Sequence, residues 1–212
     1  MATNPSGTTR SLTERAKNII LRPKTEWPII DAEPATIGGL YRNYVAILAA
    51  IPAVAMAVGM LLFGISLIFV TVRPSAGYVI SNAILGYILS LVGVYVLALI
   101  IEALAPTFGG QKNRTQAFKL AAYSYTPAWV AGILYLLPSL GILVLIAGIY
   151  SFYLLYLGLP ILMKSAADKT IVYLLAIVAA AIVLGIIVGA ITGAVTSSFA
   201  PVAPTPQYSL PG

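Results

Sequence analysis

The chain has 212 residues, of which 60% are apolar and 8% charged, where a soluble domain carries about a quarter charged residues. That balance excludes a water-soluble globule, and the absence of Cys and His from the sequence removes disulfides, thiolate nucleophiles, imidazole bases and the commonest zinc ligands. The formal net charge of +6 does not indicate nucleic acid, because the cations flank apolar runs and line no face interleaved with stacking aromatics.

Residues 1–43 read as a cytosolic amino-terminal tail. In it Leu12, Ala16, Ile19 and Ile20 recur at helical spacing, while Glu14, Arg15, Lys17 and Arg22 take other faces. Ser11 or Thr13 can cap this short amphipathic helix, and Pro23 ends it. Two readings stand side by side. The helix lies in the cytoplasmic headgroup layer, drawn to anionic lipid headgroups, or it caps the loops of the bundle. Trp27 suits an interface in the first reading.

Long uncharged runs follow: 30 residues between Arg42 and Arg73, 28 between Arg73 and Glu102, 44 between Lys119 and Lys164, and a last run after Lys169. A helix needs about 20 residues to cross the hydrocarbon of a bilayer. The run of 44 is too long for one crossing and is cut by Leu137-Pro138-Ser139-Leu140-Gly141, where Pro138 and Gly141 mark a tight hairpin. The expected spans are therefore residues 44–70, 77–101, 120–137, 142–163 and 171–197. This predicts an all-α polytopic bundle of five transmembrane helices over residues 44–199, with residues 200–212 a disordered Pro-rich tail. Eleven of the twelve Lys and Arg residues fall on one side of such a bundle. The amino terminus is then cytoplasmic and the carboxyl terminus extracytoplasmic.

Glu102 closes the second expected span, where a carboxylate needs water or a partner. Lys112, Arg114 and Lys119 in the following segment are the candidate partners, forming either an ion pair that pins the loop or a polar site for a headgroup or cation. Gly109 and Gly110 read as a structural turn, since the spacing of a phosphate loop is missing. In the third span Tyr123, Ser124, Tyr125 and Thr126 precede Pro127, which lacks an N–H and should kink the helix. The Ser124 and Thr126 hydroxyls are expected to compensate the carbonyl of Tyr123, and such a polar, broken position also lines the sites of transporters. No charge lies inside any expected span, which speaks against ion-coupled transport. Tyr150, Tyr153 and Tyr156 read as packing or interface anchors. Ala181, Gly185, Gly189 and Gly193 stand four apart, a small-residue face for a neighbouring span or a second copy of the chain. Nothing supplies a nucleophile with its base, or a ligand set for a metal, so neither an enzyme nor a cofactor is expected.

The motifs Leu104-Ala105, Phe108-Gly109-Gly110, Phe118, Ala122-Tyr123-Ser124, Pro127 and Leu137-Pro138 through Gly141 resemble the Yip family of integral membrane proteins, bacterial branch, with the likeness covering about residues 12–197. The resemblance implies a five-span protein whose eukaryotic relatives bind prenylated GTPases and partner Yip proteins. It carries Tyr123, Ser124, Pro127, Pro138 and Gly141 over as structural determinants. The eukaryotic Asp-Leu-Tyr-Gly-Pro segment has only Gly39-Leu40-Tyr41-Arg42 as its nearest match. The expected role is a non-enzymatic scaffold or adaptor in the bacterial inner membrane, whose partners are lipid and a membrane protein or second copy of itself. A passive transporter, channel or lipid-handling protein is the alternative.

Overall fold

The structure is a computed structural model that describes residues 11–66, 71–137 and 140–198. Helix α1 (Leu12–Leu21) starts at Ser11, whose hydroxyl accepts from the Glu14 amide at 3.2 Å. Helix α2 (Pro23–Ala32) opens on Pro23, where a missing N–H costs nothing. Helix α3 (Ile37–Leu40) is capped by Thr36 and widens through a π turn at Tyr41–Val45 into α4 (Ala46–Phe63). Gly64, at φ 74°, ends α4, and a two-stranded antiparallel hairpin follows, β1 (Ile65–Ser66) with β2 (Thr71–Val72), pairing Ile65 with Val72. The first expected span, which ran to residue 70, is thus cut short by a backbone angle that glycine adopts without strain.

Helix α5 (Ala76–Leu104) continues through a 3-10 turn at Ala105–Phe108. Helices α6 (Arg114–Ser124) and α7 (Thr126–Ala131) and a 3-10 turn at Gly132–Leu136 make up the third apolar segment. Helix α8 (Gly141–Leu162) and helix α9 (Thr170–Ser197) complete the bundle. Among the described residues, four continuous stretches are long and apolar enough to cross a membrane: Ile37–Phe63, Ala76–Phe108, Gly141–Leu162 and Ala167–Ser197.

The segment expected as the third span is not one helix. Its backbone breaks at Tyr125, between α6 and α7, because Pro127 in the first turn of α7 has no N–H to continue the ladder. From Leu120 to Leu136, beyond the charged start of α6, the pieces have a contour of about 28 Å, close to the roughly 30 Å of hydrocarbon, but only as a broken path. Broken backbone is tolerated at membrane depth only inside protein, and all eight residues 117–124 are buried accordingly. Small side chains at Ala117, Ala121 and Ala122 let α6 approach its neighbours, and Phe118 lies between the rings of Tyr41 and Tyr95, with centroids at 4.8 and 6.3 Å.

Tyrosine hydroxyls fix how far the helices slide past one another. Tyr41 donates to the Leu91 carbonyl at 2.7 Å and Tyr87 to the Ala46 carbonyl at 3.1 Å. Tyr44 meets the Thr126 hydroxyl at 2.8 Å. Glycine sets the closest approaches: a Cβ on Gly59 would collide with the Tyr135 carbonyl, and one on Gly158 with the Leu120 side chain and the Trp27 ring.

The amino-terminal helices share this core. Ile19, Trp27 and Ile30 are at most 1% exposed. Trp27 sits against α8, so the interface position expected for it is replaced by an interior one. The amphipathic helix packs on α2 and α7, and Arg15, expected on an outer face, points inward. The hairpin residues Pro138 and Ser139 and the tail 200–212 lie outside the described residues, while Gly141 begins α8.

Candidate functional site

Helix α2 and residue 33 meet the start of α6 and the end of α8 at one polar end of the bundle, with α1 packed on α2 and α7. Helical periodicity explains why a cation is buried there. Leu12, Arg15 and Ile19 stand at i, i+3 and i+7, so Arg15 shares the inward stripe of α1. It is 4% exposed. Its Nη1 donates to Glu26 Oε1 at 2.5 Å and its Nη2 to the Glu33 carboxylate, and the guanidinium carbon lies 5.8 Å from the Tyr123 ring centroid. Burial pulls the Arg15 pKa down, but the Glu33 hydrogen bond and the surrounding negative charge outweigh it and hold it above the ordinary arginine value.

Lys119 is 3% exposed and donates from Nζ to the Ile30 and Glu33 carbonyls at 2.8 and 2.6 Å. It thereby occupies the place where the end of α2 presents carbonyls without an intrahelical donor. Burial lowers its pKa below the usual lysine range, against the raising pull of Asp31 and Glu33. Glu102 instead accepts from Arg114 Nε at 2.9 Å in a pair whose arginine is more than half exposed, and Lys112 is exposed in the loop. Asp31, unremarked in the sequence, ties three elements together. Its carboxylate accepts from Gln116 on α6 at 2.9 Å and from Lys164, just after α8, at 2.6 Å.

Tyr123 and Ser124 are neighbours in sequence but line different cavities. Tyr123 faces a cleft of about 660 Å³ between α1, residues 33–36 and the start of the first spanning helix, shared with Arg15, Glu33, Asn43 and Tyr44. Ser124 faces a second cavity of about 150 Å³, with Tyr125, Ser151, Phe152 and Ile177. The Ser124 hydroxyl is buried and has no hydrogen-bond partner among the described residues, and the Thr126 hydroxyl pairs with Tyr44. Neither therefore compensates the Tyr123 carbonyl as expected, because Tyr44 offers Thr126 a better-placed partner and Ser124 turns into the cavity. Gly185, Gly189 and Gly193 have nothing beyond their own helix within 4 Å, so the small-residue face of α9 is turned outward. Among the described residues no group of three or more acidic side chains is placed to hold a metal ion.

Arg15, Glu26, Asp31 and Glu33 were legible only as a charged tail. The usable signal is Arg15 in register with Leu12 and Ile19, together with Glu26 and Glu33 seven residues apart.

The Yip1 domain matches residues 17–189, a stretch that begins inside α1 and includes Glu26, Glu33 and Lys119. Two relatives, the inner membrane protein YohC of Escherichia coli strain K12 and that of Escherichia coli O6:H1, are each 28% identical over 142 residues, covering 65% of this chain and 73% of their own. No solved structure matches.

Arg15→Met removes a buried cation from the buried Glu26 carboxylate and is expected to cost about 3–5 kcal/mol, read as denaturant unfolding of the detergent-solubilised protein. Arg114→Gln, in the exposed pair, should leave unfolding unchanged. Equal, small effects of both would show that the amino-terminal helices are a peripheral arm.

Proposed function

The chain belongs to the Yip1 domain family, and we propose that within it this protein is a non-enzymatic scaffold or adaptor of the bacterial inner membrane. It crosses the bilayer five times, with the amino terminus in the cytoplasm and the carboxyl terminus outside. The observation that carries the scaffold reading is the outer face of α9. Ile182, Val183 and Ile186 are more than half exposed there, beside a glycine row that meets no other part of the chain. Such a face suits close approach of another transmembrane helix, where packing rather than hydrophobicity drives association. The contour of the broken third segment supports the fifth crossing, and the distribution of Lys and Arg supports the orientation. At the polar end Glu14, Lys17, Arg22 and Lys24 are exposed on the docked helices, a charged surface held in fixed geometry for a partner.

A second reading, lipid or small-solute handling, is favoured by the cavity beside the break at Tyr125, where a buried hydroxyl faces open space.

Gly185→Leu with Gly189→Leu is expected to reduce the assemblies seen by native mass spectrometry and by crosslinking in membranes; assemblies of unchanged size and yield would remove the α9 argument. A reporter active only outside the cytoplasm should be active when fused to the carboxyl terminus and silent at the amino terminus, and the reverse pattern would refute the orientation. If lipid or solute handling is the role, Ser124→Ala should lower scrambling or flux in proteoliposomes, whereas well-folded protein with no such activity excludes it.

A further inference from the structure

Two cavities on one side of the molecule have the shape and polarity of an amphiphile when taken together. The cleft of about 660 Å³ sets Arg15, Glu33, Asn43 and Tyr123 into an otherwise apolar wall at the head of the first spanning helix, with Asn43 exposed. Below it on the same helix face lie Ile47, Val54, Val58 and Leu61, all exposed, at the i+4, i+7, i+4 and i+3 steps of a helical stripe. Along this stripe runs an apolar groove of about 320 Å³ between α4 and α5, lined by Ala53, Ala57 and Val58 from one helix and Ala83 and Ile84 from the other. The alanines of α4 make the groove by withholding side chains. From Asn43 to Val54 the helix rises about 16 Å, close to the hydrocarbon depth of one leaflet.

The cleft's chemistry narrows the headgroup. The charged side chains lining it are Arg15 and Glu33, which cancel. Arg15 is committed to Glu26 and Glu33 on both terminal nitrogens, so an anion would have to displace a carboxylate to reach it. The Glu33 carboxylate, by contrast, is 38% exposed and keeps room to accept from an ammonium. Tyr123 is 7% exposed and lines the cleft. It and the Asn43 amide supply neutral donors suited to a phosphate oxygen.

We propose that this cleft and groove hold one phospholipid with a zwitterionic phosphoethanolamine headgroup, its ammonium on Glu33, its phosphate toward Tyr123 and Asn43, and an acyl chain between α4 and α5. The neutral charge balance separates this ligand from an anionic phosphatidylglycerol. The N–H donors of a primary ammonium separate it from a choline, which has none. A lipid held here needs only the bundle itself and is independent of any scaffolding role.

The test is native mass spectrometry of the protein released from nanodiscs containing phosphatidylethanolamine, phosphatidylglycerol and phosphatidylcholine at equal fractions. One phosphatidylethanolamine per chain should be retained about tenfold over either competitor, the weight of one charge-assisted contact. Asn43→Trp, which fills the mouth without touching the ion pairs, and Ala57→Leu, which fills the groove, should each abolish retention in a protein of unchanged melting temperature. Glu33→Gln should erase the preference over phosphatidylcholine. Equal retention of the three lipids, or retention untouched by both Asn43→Trp and Ala57→Leu, overturns the site. Displacement of the bound lipid by soluble phosphoethanolamine at a comparable concentration would assign the cleft to a free solute and overturn the lipid.

Discussion

In a bilayer, a backbone carbonyl or amide that loses its helical partner has no water to turn to. This chain meets that constraint where α6 gives way to α7, since Pro127 lacks the N–H from which the Tyr123 carbonyl would accept. The consequence spreads through the fold. A broken segment cannot face lipid, so α6 becomes the innermost element, with α5 and α8 along its sides and α2 across its polar end. Its composition follows from that position: alanine where a helix must come close, Phe118 where a gap between tyrosines must be filled, and Lys119 where the end of α2 presents carbonyls that need a donor.

The amino-terminal helices complete the enclosure. Their attachment combines apolar packing of Ile19, Trp27 and Ile30 with an arginine that two carboxylates hold below the surface. A buried ion pair is not a cheap source of stability, since desolvation offsets most of the attraction. What it confers is position, because Arg15 can be buried only where both carboxylates meet it, and that fixes α1 against α2 and residue 33. Asp31 adds a second constraint by joining α2 to α6 and to the residue after α8. The exposed Glu102–Arg114 pair has neither the burial nor the geometry to do the same.

The membrane class, the four long helices and most of their boundaries were legible in hydropathy and breakers, because a charge-free run of span length has few other uses. The family was legible in the Ala122-Tyr123-Ser124 and Pro127 motifs. The end of α4 was misjudged because composition stays apolar past Gly64, and only the backbone angle there stops the helix. Pro127 marks a kink in the third segment, and the helix is interrupted there, at Tyr125. Arg15, Glu26 and Glu33 were missed because a charged residue in a polar tail is taken as solvated, and its burial depends on partners that only the tertiary fold assembles. Tyr123 and Ser124 stand out in the sequence as polar groups in an apolar segment, but as neighbours on α6 they take different faces, and the elements packed there decide which cavity each lines.

The central claim is that α2 is packed into protein rather than lying in water or on lipid. The chain has two tryptophans, Trp27 and Trp129, so a Trp129→Phe variant reports on Trp27 alone. In liposomes its fluorescence should resist quenching both by acrylamide in the water and by brominated acyl chains in the bilayer. Strong quenching by acrylamide would place α2 in solvent, and strong quenching by brominated lipid would place it in the membrane surface; either result contradicts the account.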